Sequence, residues 1–179
     1  RDSKVPSAAN DSSLDDVDKA LASASKAFPG WRDRSQDERS NMLMAAAAAM
    51  RDRRDELAGV LIRESGKTWR EADAGVCEAI DFCEYYARQA MSLFTPRRLG
   101  AFIGELDEQW YQPRGIVAVI SPWNFPMAIC AGMTTAALVT GNTVALKPAE
   151  QTPGIASIFV KILHEAGLPK GALEFLPGL

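Results

Sequence analysis

Apolar positions recur at helical spacing through the first half of the chain, and the period then changes. Leu14, Val17, Leu21, Ala24 and Phe28 fall three or four residues apart, the repeat that lines one face of an α-helix. Ser13 precedes them as a candidate cap and Pro29-Gly30 follow as stop signals, so a helix is predicted to end near residue 30. SQDE, Ser35 to Glu38, has capping-box spacing, with a hydroxyl three residues before a carboxylate. It opens an alanine-rich helix predicted to break or bend around residues 51–55 and to stop at Gly66. TWRE, Thr68 to Glu71, is a second box, opening a helical stretch that must finish before Pro96. The run of alanines at 45–49 predicts close helix packing.

Beyond Pro96 the pattern shortens. LGAFIGELDEQWYQPRG, from residue 99, alternates in short runs broken by glycine and ended by Pro113, which predicts two strands in an exposed hairpin. Open strand edges are covered in many proteins by a partner subunit, so a homo-oligomer is expected. From Gly115 the grammar is α/β. IVAVI (116–120) is a continuous run expected of a strand buried on both faces, and TVALK (143–147) and ALEFL (172–176) are weaker copies. Between the first two lies an apolar segment with Pro126 in its first turn and Gly141 at its end. Between the second and third, Thr152 is the expected cap and Pro153 the start of a helix with the face Ile155, Ile158, Phe159, Ile162 and Leu163. The predicted fold class is therefore α/β. Amino-terminal helices (1–96), a hairpin ribbon for oligomerisation (97–114) and an incomplete parallel Rossmann-like sheet of about three strands (115–179) form one incomplete domain.

Composition narrows the function. With 47% hydrophobic residues, 24% charged and a net charge of -3, the chain predicts a globular domain without the footprint of a nucleic-acid or anionic-membrane binder. No apolar run reaches membrane-span length and RDSKVPSAANDSS lacks a signal-peptide core, so a cytoplasmic address is expected. Cys77, Cys83 and Cys130 form no CxxC pair and are assigned to packing; no metal site is predicted. His164, the only histidine, falls on the polar side of a predicted helix and reads as a surface residue.

Ligands of open parallel sheets bind beyond the carboxyl ends of the strands, where SPWNFP follows the first strand and KPAEQTP the second. Asn124 offers two uncharged N–H donors, held between Pro122 and Pro126, to a carbonyl oxygen that becomes negative. It could instead cap the following helix. Lys147 and Glu150 supply a donor and an acceptor fit for the hydroxyls of a ribose, or else a solvated lysine and an acid facing a helix dipole. No GxGxxG is present.

The segment running from GIVAVISPWNFPMAI through GNTVALKPAEQTP to HEAGLPKGALEFLPG resembles the aldehyde dehydrogenase family, and weaker similarity extends back through FPGWRDRSQDERSNML. The resemblance implies that Asn124 is the oxyanion asparagine and that Lys147, also the family's functional lysine, and Glu150 hold the adenosine ribose. Ile120, Ser121, Pro122 and Trp123 would line the cofactor cleft. The implied cofactor is NAD, with NADP disfavoured because Glu150 would repel a 2′-phosphate. GKTWREADAGVCEAIDFCEYYARQA, with GELDEQWYQPRGIVAVISPWNFPMAI, is similar to the members that oxidise L-glutamate γ-semialdehyde to glutamate in proline catabolism. Glu78, Asp81, Phe82 and Tyr85 share a helical face; Glu78 and Phe125 are the candidates to line the substrate passage, while Phe82 is assigned to the core. In that family a cysteine nucleophile and a glutamate base lie beyond the point corresponding to Leu179, so the chain alone is expected to be inactive. Other readings remain: a dehydrogenase of another aldehyde, one that passes the acyl group to coenzyme A, or a non-catalytic nucleotide-binding or assembly module.

Overall fold

A computed structural model describes residues 9–178. The helical half begins with α1 (Leu14–Arg32), opened by a reciprocal bond between Ser13 and Asp16. The helix runs past the expected stop at Pro29-Gly30. A proline removes only one N–H and disturbs the turn before it; residues beyond are still held, the Asp33 N–H donating to Pro29 O and the Trp31 indole donating to the buried Leu138 carbonyl at 3.1 Å. Trp31 is fully buried, whereas Leu14 and Leu21 of the expected apolar face are exposed.

Capping boxes at Ser35 and Thr68 open α2 (Gln36–Asp52) and α4 (Trp69–Leu93) as the spacing predicts. The chain breaks at Arg53, continues as α3 (Arg54–Ser65) and stops at Gly66, whose φ of 68° is the left-handed cap that glycine adopts without strain. α2, α3 and a later helix, α5 (Ala128–Val139), all pack on α4. Ala46 and Ala47 of the alanine run are buried, letting the backbones approach closely. Arg39 is also buried: its guanidinium donates to Val139 O at 2.9 Å, Arg32 O at 3.0 Å, Arg34 O and Gln36 Oε1 at 2.8 Å. That arrangement binds the α1–α2 turn to the carboxyl end of α5, where a helix dipole favours a cation.

The hairpin forms, but its ladder is short. β1 (Arg97–Arg98) pairs with β2 (Glu108–Gln109), and Leu99, Phe102, Ile103, Leu106, Trp110 and Tyr111 stand exposed along it. The second sheet is parallel, ordered β3 (Ile116–Ile120), β4 (Thr143–Lys147), β5 (Leu173–Phe175), with α5 (Ala128–Val139) and α6 (Pro153–Glu165) as crossovers. The strand with the most strand-like sequence is not the buried one. β3 lies on the outside of the described sheet with Ile116 and Ile120 exposed, and within it only Val119 is buried. β4, flanked on both sides and covered by α1 and α5, buries Thr143 through Leu146.

Two expectations about α6 also change. Thr152 precedes it but makes no capping bond; its hydroxyl is buried without a partner. The Glu64 carboxylate from α3 takes that place, accepting from Gly154 N at 2.7 Å and Ile155 N at 2.9 Å. His164 is half-buried rather than a surface residue, its Nδ1 lying 3.0 Å from Leu168 O where the chain leaves the helix. Among the described residues no helix is long and apolar enough to cross a membrane, and no three His, Cys, Asp or Glu gather to hold a metal.

Candidate active site

Parallel pairing in register brings the two informative motifs together. Ile120 is the partner of Lys147 across β3 and β4, and Ser121 N donates to Lys147 O at 3.1 Å. Adjacent strands lie roughly 4.8 Å apart, so the corner after β3 and the loop after β4 leave the sheet side by side. Asn142 sets the other end of this pair. Its Oδ1 accepts from Arg114 N at 2.6 Å and Gly115 N at 3.0 Å, and its Nδ2 donates to Thr140 Oγ1 at 3.0 Å and Ala137 O at 3.3 Å. One buried amide thus fixes the entry to β3 and the entry to β4 together.

In the corner, Pro126 and Met127 are buried while Trp123, Asn124 and Phe125 are exposed. Asn124 does not cap α5: Met127 occupies the cap position without a side-chain bond, and Ile129 N is satisfied by Phe125 O. Its carboxamide has no hydrogen-bond partner among the described residues, so its donors are free to take up a ligand oxygen. Beneath it Ser121 is 6% exposed, its hydroxyl turned inward toward the Cys130 thiol; what Ser121 can present to a cleft is backbone. Burial pushes Cys130 up to about 11, against the opposing effect of the Ser121 and Thr134 hydroxyls, and pushes Cys83 up to about 12. Thiols so protonated are poor nucleophiles at neutral pH.

After β4, Lys147 Nζ lies 3.3 Å from Glu150 Oε2, and Gln151 Nε2 donates to Glu150 Oε1 at 2.6 Å. The Glu150 carboxyl is held below its ordinary range by its own backbone N–H, then by Lys147. Lys147 of this pair borders a cleft of about 320 Å³ at the carboxyl edge of the sheet, lined also by Val17, Leu21, Ala118, Ile120 and Ala145 among others. A charged pair beside an apolar trough suits a ligand with a hydroxylated ring and a flat apolar base. The amino end of α6, a terminus of the kind that receives phosphates, is already taken by Glu64. The Lys147–Glu150 pair therefore fits the ribose of a dinucleotide, while the first N–H groups of α6 are not open to its phosphates.

The structure does not unite every expected residue. Glu78 is exposed on α4, one turn before Phe82, whose ring packs 3.2 Å from where a Cβ on Gly132 of α5 would stand. No hydrogen bond or ion pair joins Glu78 to Phe125 or Asn124 among the described residues. Phe125 instead meets Lys67, whose Nζ lies 4.5 Å from the ring centroid. Glu64, Lys67 and Asn142 went unremarked as functional candidates in the sequence. Asn142 had a signal, the Gly141-Asn142 pair before a strand, whereas the Glu64 bonds span about ninety residues and leave no local trace.

Residues 2–179 match the aldehyde dehydrogenase family. The chain is 51% identical over 162 residues to 1-pyrroline-5-carboxylate dehydrogenase 2 of Halalkalibacterium halodurans, covering 90% of this chain and 32% of the relative. It is 49% identical over 166 residues to 1-pyrroline-5-carboxylate dehydrogenase 2 of Bacillus subtilis, covering 93% and 32%. The structure superposes with a TM-score of 0.91 on a 1-pyrroline-5-carboxylate dehydrogenase from Thermus solved with bound NAD, at 45% identity over 94% of this chain and 33% of that one. With proline utilization A of Bdellovibrio bacteriovorus the TM-score is 0.93, at 43% identity over 94% of this chain and 18% of that one. The chain thus spans about a third of the length of the curated relatives it matches.

Proposed function

The chain belongs to the aldehyde dehydrogenase family, and on that premise we propose that it forms the cofactor edge and half of the oxyanion site of an NAD-dependent dehydrogenase. The substrate is L-glutamate γ-semialdehyde, oxidised to glutamate in proline catabolism. The observation that carries the proposal is the Ile120–Lys147 register, which sets the unpartnered Asn124 corner beside the Lys147–Glu150 pair. Names of the Halalkalibacterium and Bacillus relatives support the substrate, and the NAD-bound Thermus structure supports the cofactor.

Bound NAD supplies the hydride acceptor. Asn124 donates its amide N–H to the aldehyde oxygen as negative charge develops there, an interaction stronger in the transition state than in the ground state. Lys147 and Glu150 hold the adenosine ribose. Glu150 stays anionic at neutral pH and so disfavours the 2′-phosphate of NADP. Ile120, Pro122, Trp123 and the backbone of Ser121 line the cleft, and Glu78 and Phe125 face the substrate passage. We assign the nucleophilic cysteine and the base that activates water to residues outside these, since Cys83 and Cys130 are buried and protonated and half-buried Cys77 lies within α4, not in the corner that carries Asn124. The exposed apolar residues of the hairpin meet a second copy in a homo-oligomer.

The test is NADH formation from the semialdehyde by the enzyme completed to the length of its relatives, beside the 179-residue chain alone. Turnover by the completed enzyme with NAD, and none by the isolated chain, is expected. A preference for another aldehyde, a coenzyme A thioester as product, or turnover by the isolated chain overturns the corresponding part.

A further inference from the structure

Between α3 and α4 the chain turns a corner whose two sides are both fixed. Gly66, in the left-handed region, closes α3, and the Thr68–Glu71 capping box opens α4. Glu64 and Lys67 stand three residues apart across this corner, and each reaches a different half of the site. The Glu64 carboxylate receives the Gly154 and Ile155 N–H groups at 2.7 and 2.9 Å, at the amino end of α6, a few residues past Glu150. Lys67 Nζ stands 4.5 Å from the centre of the Phe125 ring, the residue next to Asn124.

The Glu64 bond has a local alternative that the chain does not use. Thr152 holds the cap position of α6, yet its hydroxyl is buried and without a partner, while a carboxylate from another helix serves the same N–H groups. A charge-assisted bond of this kind at a helix amino end is stronger than a hydroxyl cap. It also ties the far end of the Lys147–Thr152 loop to α3. At the other half, a cation held over an aromatic face restrains a ring that is otherwise 44% exposed.

We propose that the Glu64–Lys67 corner is a positioning brace that sets the ribose-holding loop and the Asn124 corner relative to one another. Glu64 acts through Gly154 and Ile155 on Lys147 and Glu150, and Lys67 acts through Phe125 on Asn124. The functional consequence rests on the dehydrogenase reading given above; the mechanical link does not.

Two measurements separate them. In the 179-residue chain, amide hydrogen exchange is followed in Glu64→Gln and Lys67→Met. The brace predicts crossed effects: Glu64→Gln speeds exchange in residues 121–127 as well as at α6, and Lys67→Met speeds exchange in residues 148–155, each about threefold or more. In the completed enzyme, Lys67→Met raises KM for NAD about threefold with its melting temperature unchanged. Glu64→Gln lowers kcat about threefold and raises that KM about fivefold. The double variant falls short of the product of the two singles, as for residues in one network. Effects confined to the half each residue touches, or multiplying independently in the double variant, overturn the brace. Should Glu64→Gln fail to fold, the crossed effect of Lys67→Met decides alone. A completed enzyme that does not use NAD removes the dehydrogenase reading, and the exchange rates still judge the brace.

Discussion

Two asparagines bracket β3 and β4, and they are used in opposite ways. Asn142, at the turn before β4, is buried with its oxygen receiving two backbone N–H groups and its nitrogen giving to two oxygens. Asn124, in the corner after β3, is exposed and bonded to nothing among the described residues. The same side chain is a structural rivet where its hydrogen-bonding capacity is filled by the fold, and a binding group where it is left open. Rigidity reaches Asn124 second-hand, from the buried Pro126 and Met127 on one side and the Ser121–Lys147 backbone bond on the other.

The contrast is broken most severely by Asn124→Ala. In the completed enzyme kcat is expected to fall about 10²- to 10³-fold, with KM for NAD and the unfolding midpoint of the chain unchanged. Steady-state kinetics beside a thermal melt checks both halves of that statement. Asn142→Ala should do the reverse: it leaves the part-buried Arg114 and Gly115 backbone N–H groups without their acceptor, for a loss of about 1–2 kcal/mol of stability. Urea unfolding of the 179-residue chain measures it, and a midpoint equal to the parent's would show that Asn142 is no rivet.

Glu150 stands between the two cases, partnered yet exposed, and sharpens the comparison through pH. Its folded-state pKa is lowered by its own backbone N–H and by Lys147, so what it contributes is present above the ordinary carboxylate range and is lost as pH falls through the lowered value. Affinity of the completed enzyme for NAD should stay flat from neutrality down to that range, near pH 4, as read by fluorescence titration; a decline centred near pH 6 would assign the effect to another group. The smallest effect is expected at Cys130, under the Asn124 corner. Its buried, protonated thiol should react with iodoacetamide far more slowly than half-buried Cys77. Asn124→Ala leaves that rate alone, while Asn142→Ala raises it severalfold as the end of α5 loosens.

How much of this could be read in the sequence follows the reach of each interaction. The capping boxes at Ser35 and Thr68 and the stop at Gly66 involve residues three or four apart, and the spacing locates them. Burial of strands is a tertiary property. IVAVI has the stronger β pattern but sits at the outside of the described sheet, and TVALK, the weaker pattern, sits in the middle. The extension of α1 past Pro29 likewise depends on Trp31 finding the Leu138 carbonyl more than a hundred residues away. At the site, sequence placed SPWNFP and KPAEQTP at one sheet edge because parallel topology demands it, and the register does put them side by side. It left open whether Asn124 caps a helix, and α5 starting at Ala128 removes that alternative. Glu64 could not be foreseen, because nothing near it announces that its partners lie on α6.

The seat of Trp31 gives this chain an optical signature. Of its four tryptophans, this one alone is shut away from solvent, while Trp69, Trp110 and Trp123 are each more than half exposed. A soluble quencher therefore darkens the three and leaves a blue-shifted remainder from a single indole lodged between the first helix and the end of the fifth. The colour of that remainder reports the docking of those two helices, and the quenchable fraction includes the indole that stands one residue before Asn124.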